Sequence, residues 1–207
     1  SKVIYPNTWK LIKTGNHYYY QDRKFKIKLN TKNVYSKGMF ENVCLAIKVA
    51  LDLNIDKKVI QKALPFLSFE GRFQYLNKGK IKNKLNRNES IMIDGAHATA
   101  DAQNLASYLK KIKIPKYGIW AMTKNKDPDL FIKQLKGIFK KIITMPIENE
   151  ISSVSAQELY KVATENKFNV EKSDNFAQAL KKISSKEKKL IVCFGSLYNC
   201  GNILNKN

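Results

Sequence analysis

The stretch IMIDGAH at 91–97 is the most informative in the chain. An apolar run of this kind forms a strand and delivers Asp94, Gly95 and His97 to its carboxyl edge, just before a helix amino terminus, where unpaired backbone N–H groups and the helix dipole favour phosphate. There Asp94 can accept from a ribose hydroxyl and His97 can donate to a phosphate oxygen. The same spacing also suits an Asp that closes a turn and a His that faces solvent. FEGRFQ at 69–74 sets Arg72 beside Gly71. The glycine supplies the backbone freedom a hinge needs, and the guanidinium can swing onto a phosphate as two domains close, or else serve as an ordinary exposed turn residue. CFGSLYNCG at 193–201 places Gly195-Ser196 between a strand and a helix, and TKNKDPD at 123–129 sets Lys126 and Asp127 at a junction of the same kind. On spacing alone, a plain turn and a solvated loop account for these two.

Elements of the right kind must carry these residues. HYYYQDRKFKIKL, from His17 to Leu29, is aromatic and then alternates apolar with charged, which suits a strand or hairpin with one wet face. FENVCLAIKVALDL at 40–53 brings Phe40, Val43, Cys44, Ile47, Ala50 and Leu51 to one helical face, and IDKKVIQKALPFL adds a shorter helix closed by Pro65. Together these read as the end of a domain whose beginning lies elsewhere. After Pro65 the rhythm changes. ESIMIDGA at 89–96 and KYGIWAM at 116–122 read as strands with the helix TADAQNLASYLKKI between them. DPDLFIKQLKGI at 127–138 is a helix with Asp127 as its cap and Pro128 at its first position. FKKIITM, SAQELYKVATEN, KFNV, SDNFAQALKKI, KKLIVCF and SLYNCGNILN continue the alternation. The class is α/β: a Rossmann-like, mainly parallel sheet flanked by helices on both faces, with ligands at the carboxyl ends of its strands.

Composition narrows the function classes. A chain of 207 residues that is 43% hydrophobic can bury a core, which excludes collagen-like, mucin-like and wholly disordered readings. The formal charge of +21 alone would recommend an anionic partner. The lysine is scattered beside Asn and Ile, as in KIKNKLNRN at 80–88, not gathered on one stripe with interleaved aromatics. It therefore reads as drift in composition more than as a nucleic-acid footprint. A basic, non-enzymatic nucleic-acid-binding module stays as the rival reading, and a non-catalytic remnant as a third. Cys44, Cys193 and Cys200 form no C-x-x-C pair and no zinc spacing, which fits a reducing compartment. No apolar run reaches the ~18 residues of a membrane span, and the opening SKVIYPNTWKLIKTG lacks a secretory signal's apolar stretch. The expectation is a cytoplasmic protein with no membrane partner.

Taken together and in this order, FEGRFQ, IMIDGAH, MTKNKD, MPIENE and VCFGSLYNCG resemble the carboxyl-terminal part of folylpolyglutamate synthase/dihydrofolate synthase, within the Mur ligase superfamily, over about residues 35–207. The resemblance implies a Mur ligase C-terminal domain preceded by the tail of a central ATPase domain: residues 1–67 from the central domain, a hinge at 68–72, and a glutamate-ligase domain at 73–207. It implies an ATP-dependent amide ligase that phosphorylates the carboxylate of a folate or dihydropteroate and adds L-glutamate to the acyl phosphate. ATP, L-glutamate and the folate or dihydropteroate would be its small-molecule partners, with Mg2+ held by residues upstream of this sequence. Arg72 would contact ATP phosphate, Asp94 and His97 the ribose and phosphate, and Lys126, Asp127 and Ser196 the glutamate side. No residue of this chain is assigned as catalytic.

The departures are equally specific. Ala98 and Thr99 stand where the family has Asn and Pro after D-G-A-H, Asn125 opens its D-K-D loop, and Gly38-Met39 replace its His-Gln pair. No G-x-x-x-x-G-K-[ST] phosphate loop occurs in the sequence, and that loop's N–H nest and Lys are the main cradle for β- and γ-phosphates. The expectation is a chain inactive alone, either the partner of a separate N-terminal half or a remnant of a decaying gene.

Overall fold

The computed structural model describes residues 8–207. Ser1–Asn7, which open the stretch read above for a secretory signal, lie outside the described residues. The chain divides into two compact units, one reaching Phe69 and the other Glu70–Asn207.

In the first unit, β1 (Trp9–Thr14), β2 (His17–Asp22) and β3 (Lys26–Lys28) form an antiparallel sheet in that order. The β2–β3 turn is closed by Asp22, whose Oδ1 accepts from Lys24 N at 2.8 Å and Phe25 N at 2.7 Å while Oδ2 accepts from the Tyr20 hydroxyl at 2.6 Å. The expected hairpin is thus present. β1 was not foreseen, because the alternation in WKLIKT is blurred by lysines on both sides. The helix α1 (Lys37–Asp52) starts at Ser36, whose side chain accepts from Met39 N, and buries Met39, Phe40, Val43, Cys44 and Ile47. Ala50 and Leu51, expected on that face, are only half-buried. The short helix α2 (Lys57–Ala63) ends in the 3-10 turn Leu64–Phe66, where Pro65 stops it.

The second unit is built on one sheet. Its elements are β4 (Gln74–Tyr75), α3 (Lys80–Lys84), β5 (Glu89–Asp94), α4 (Thr99–Leu109), β6 (Lys116–Trp120), α5 (Pro128–Lys133), β7 (Lys141–Thr144), α6 (Ala156–Glu165), β8 (Val170–Lys172), α7 (Phe176–Ile183), β9 (Lys189–Phe194) and α8 (Leu197–Lys206). The sheet order is β4-β5-β9-β6-β7-β8, with β4 antiparallel to β5 and every other pair parallel. The expected class holds, with two elements added: β4 and α3 were not foreseen. The strand expected at KFNV begins later, at Val170, because the turn that ends α6 runs through Lys167 at φ +63°. The helix expected over 127–138 stops at Lys133 and gives way to turns up to Gly137 at φ +75°.

Handedness explains the two helical layers. Successive right-handed crossovers carry the chain from β5 through β6 and β7 to β8 in one direction across the sheet, and the return from β8 to β9 must lie on the opposite face. On that face Ile91, Ile93, Ile119, Ile143, Ile191 and Cys193 meet Phe176, Ala179, Leu180 and Ile183 of α7 and Cys200 and Ile203 of α8. On the other, Phe131 of α5 stacks 6.3 Å from Trp120 and 6.1 Å from Phe194. Being covered on both sides is why β9 is buried at every position. All three cysteines are buried and free.

The amino edge of this sheet holds an ion pair shut away from water. Glu89 and Lys189 are register partners on β5 and β9, with Oε1 and Nζ 3.6 Å apart and both side chains at most 1% exposed. Lys189 Nζ donates to Ile183 O at 2.6 Å and Ser185 Oγ at 2.5 Å and lies 4.5 Å from the Tyr117 ring centroid. Glu89 accepts from Asn86 N, Asn86 Nδ2, Ser184 Oγ and Ser185 N. Every charge is answered, as burial requires. No helix among the described residues is long and apolar enough to cross a membrane.

Candidate functional site

Because β9 lies between β5 and β6, the strand order reverses there, and the crevice outside the carboxyl ends of these strands is where a ligand fits in such a sheet. Glycines let the strand ends converge. Gly195, after β9, has φ +107°, and a Cβ there would sit 2.3 Å from Ala121 O and 2.7 Å from Trp120 Cδ1. Gly95, after β5, would place a Cβ 2.2 Å from Leu197 Cδ2.

A pocket of about 220 Å³ opens at this edge, lined by His97, Thr123, Asn125, Lys126, Ser152, Ser196, Leu197 and Tyr198. Three of the residues singled out in the sequence, His97 after β5, Lys126 after β6 and Ser196 after β9, meet in it. Arg72, Asp94 and Asp127 do not line it.

The His97 ring reaches back to its own strand end. Its Nδ1 lies 2.8 Å from Gly95 O, and a carbonyl oxygen only accepts, so Nδ1 carries the proton. Nε2 is then the group that can meet a ligand: an acceptor in neutral imidazole, a donor in imidazolium. Asp101 Oδ2 stands 3.8 Å from Nδ1, in place to partner the charged ring. Ser196 caps α8 by accepting from Tyr198 N at 3.1 Å, which leaves its hydroxyl hydrogen free of any acceptor among the described residues. Lys126 has no acidic partner among the described residues. Asp127 caps α5, its Oδ1 accepting from Leu130 N at 2.9 Å, and is exposed.

Asp94 is 2% exposed. Its Oδ2 accepts from Phe73 N at 2.9 Å and its Oδ1 from Ala96 N at 2.8 Å. Burial pushes its carboxyl up from 3.8 to about 6, opposed by those two N–H groups and by the charge of Arg72. The same two side chains reach the thiol of Cys200, which burial and Asp94 push up to about 12 while Arg72 pulls it down. Arg72, Asp94 and Cys200 therefore influence one another's charge.

Sequence reasoning missed Thr123, Ser152 and Tyr198. Ser152 enters because the loops after β6 and β7 are laced together: Lys124 N donates to Ser152 O at 2.7 Å, Val154 N donates to Met122 O at 2.8 Å, and Thr123 and Ser153 form an antiparallel bridge. The signal was two polar loops following strands now seen to be neighbours. For Mg2+, the described residues offer no group of three or more His, Cys, Asp or Glu side chains that could hold a metal ion. The described residues do not fit that ion as a resident group.

Comparison with known proteins gives a consistent picture. Residues 77–206 match the family described as dihydrofolate synthetase, C-terminal domain. No curated protein matches. Among solved structures, Escherichia coli FolC in complex with ADP superimposes with a TM-score of 0.76 at 18% identity, over 97% of this chain and 46% of that one. The bifunctional folylpolyglutamate synthase/dihydrofolate synthase of Yersinia pestis, complexed with AMPPNP and Mn, gives 0.75 at 17% identity over the same shares of the two chains. Mycobacterium tuberculosis folylpolyglutamate synthase, complexed with ADP and AMPPCP, gives 0.75 at 15%, over 97% of this chain and 48% of that one. The chain thus spans about half the length of these structures, and identities this low speak for the fold alone.

Proposed function

The chain belongs to the family of dihydrofolate synthetase C-terminal domains, and from that premise we propose that it is the carboxyl-terminal portion of an ATP-dependent ligase that adds L-glutamate to a folate or dihydropteroate. In this reading a substrate carboxylate oxygen attacks the γ-phosphorus of ATP and ADP leaves. The amine of glutamate then attacks the acyl carbon, phosphate leaves, and an amide bond has formed. The chain contributes one wall of that reaction's cleft. Its nucleotide end is Arg72, Asp94 and His97, and its glutamate end is Lys126, Asp127 and Ser196. Lys126 and the Ser196 hydroxyl suit a carboxylate, and the guanidinium of Arg72 suits a phosphate.

The observation that carries the reading is the convergence of His97, Lys126 and Ser196, from three separate strand ends, on one pocket at the switch point of the sheet. A relative of the same fold holds Mn, AMPPNP and L-glutamate together, which agrees with a site that has both ends. Residues 1–67 are proposed to belong to the central ATPase domain, with the hinge at 68–72 and the glutamate-ligase domain at 73–207. The β- and γ-phosphates need a cradle that the sequence does not supply, so the chain is inactive alone and acts with a segment bearing a phosphate loop. It works in the cytoplasm, where ATP and glutamate are found.

The test is calorimetric titration of the chain with ADP and then L-glutamate, followed by assay of folate-dependent ADP release when it is mixed with the phosphate-loop half of a relative. Binding of both ligands, weakened by Arg72→Ala and Lys126→Ala respectively, is expected. A chain that binds neither, alone or mixed, overturns the reading.

A further inference from the structure

The turn that carries Arg72 cannot hold its own shape. Arg72 sits between Gly71 at φ +66° and Phe73 at φ +48°, and a bulky residue with positive φ is strained unless its surroundings impose it. Three hydrogen bonds impose it. Gly95 N donates to Gly71 O at 2.6 Å, Gly71 N donates to Gln74 Oε1 at 2.8 Å, and Phe73 N donates to Asp94 Oδ2 at 2.9 Å. The Phe73 ring, 4% exposed, lies edge-on to Tyr108 with centroids 4.9 Å apart. Asp94 is the only charged member of this fastening, and its other oxygen ties Ala96 N, on the path to His97.

We propose that Asp94 is a positioning residue: it pins the strained Arg72 turn to the end of β5, and its influence on nucleotide binding passes through Arg72 instead of through a contact with the sugar. This rests on the nucleotide reading above. A carboxylate 2% exposed, with one oxygen on each of two backbone amides, is committed to the chain. Phe73 N and Ala96 N use different oxygens of Asp94, and asparagine puts an NH2 donor in place of one of them, so one of the two amides loses its acceptor. Asp94→Asn should therefore loosen the turn while leaving the fold of the sheet in place.

The experiment is a double-mutant cycle on the 207-residue chain, titrating wild type, Asp94→Asn, Arg72→Ala and the double variant with ADP and with 2′,3′-dideoxy-ADP. Asp94→Asn is expected to weaken ADP about tenfold, the scale of one lost charge-assisted hydrogen bond. The loss should be the same for the dideoxy nucleotide and should disappear in the Arg72→Ala background. A loss that persists in full beside Arg72→Ala, or that vanishes when the sugar hydroxyls are removed, overturns the inference in favour of a direct sugar contact. If Asp94→Asn does not fold, the wild-type chain carries the test beside Gln74→Ala, which unfastens the same turn from its other side: equal wild-type affinity for ADP and the dideoxy nucleotide, with Gln74→Ala weakening both alike, supports the inference, and a wild-type preference for the sugar hydroxyls overturns it. If the wild-type chain binds no ADP, the nucleotide reading fails separately, and positioning is judged by amide exchange: faster exchange at Gly95 in Asp94→Asn supports it, and unchanged exchange there overturns it.

Discussion

The two edges of the second unit's sheet use polar residues in opposite ways. At the amino edge, Glu89 and Lys189 are shut away from water with their charges 3.6 Å apart, and they spend their hydrogen-bonding capacity on serine and asparagine side chains and on the backbone. At the carboxyl edge, His97, Lys126 and Ser196 line an open pocket with donors or acceptors to spare, and only Asp94 is fully committed. The difference separates polar groups whose hydrogen bonds are spent on the fold from polar groups with capacity left over. Burial alone does not make the distinction, since Ser196 is as buried as the ion pair. What distinguishes the two is whether the donors and acceptors are used up.

That contrast can be broken most severely at the amino edge. Glu89→Ala leaves Lys189 buried without its counter-charge and should cost about 3–5 kcal/mol in denaturant unfolding. A cost below about 1 kcal/mol would mean that water reaches this edge. Gly195→Ala comes next: it forces a Cβ against Ala121 O at a left-handed φ and should cost about 1–3 kcal/mol, the usual range for overpacking. Ser196→Ala removes a helix cap worth about 1 kcal/mol and should also weaken L-glutamate. His97→Ala should stay within about 0.5 kcal/mol of wild-type stability while lowering ADP affinity in the same titration, the signature of a residue held for a ligand. Equal stability losses at His97 and Glu89 would erase the distinction between the edges.

The mildest test uses pH. Glu89 has its carboxyl held below the ordinary 4.5: burial raises it, but the N–H groups of Ser185 and Asn86, the Ser184 hydroxyl and the charge of Lys189 prevail. The folded protein then binds this proton less tightly than the unfolded one, so the stability Glu89 brings is present above pH 4.5 and is lost as pH falls through its lowered value. Asp94 runs the other way. With its carboxyl raised from 3.8 to about 6, the folded state keeps the proton longer, and the stability it brings is greatest below pH 3.8 and is lost as pH rises toward about 6. Unfolding midpoints measured from pH 3 to 7 should lose the acid-side fall in Glu89→Gln and the decline between about 4 and 6 in Asp94→Asn.

Much of the second unit was legible because parallel strands buried on both faces are nearly continuous apolar runs, as in ESIMID and KLIVCF, and because Asp127, Ser155 and Ser196 mark helix starts by residue type. β4 escaped because two residues carry no period, and α3 because its lysines and asparagines look like a loop. At the site, residue type and strand-end position were enough to single out His97, Lys126 and Ser196. They could not say which way a side chain turns. Asp94 faces inward because its partner, Phe73 N, comes from 21 residues earlier in the chain, and that contact exists only once β4 pairs with β5. Ser152 was hidden for a similar reason, since only the lacing of two loops brings it beside Asn125 and Lys126.

The placement of β9 has a consequence for how this unit is made. It is the last of the six strands in sequence, yet it fills the gap between β5 and β6. A nascent polypeptide still short of Lys189 therefore has two strand edges facing an empty slot, and both are rows of unmet backbone donors and acceptors. Closing that slot joins segments a hundred residues apart, as Glu89 does with Lys189, which makes the step slow and leaves the half-built sheet open to pairing with a neighbour during synthesis. Deleting Lys189–Phe194 would take out the middle of the sheet, not its margin.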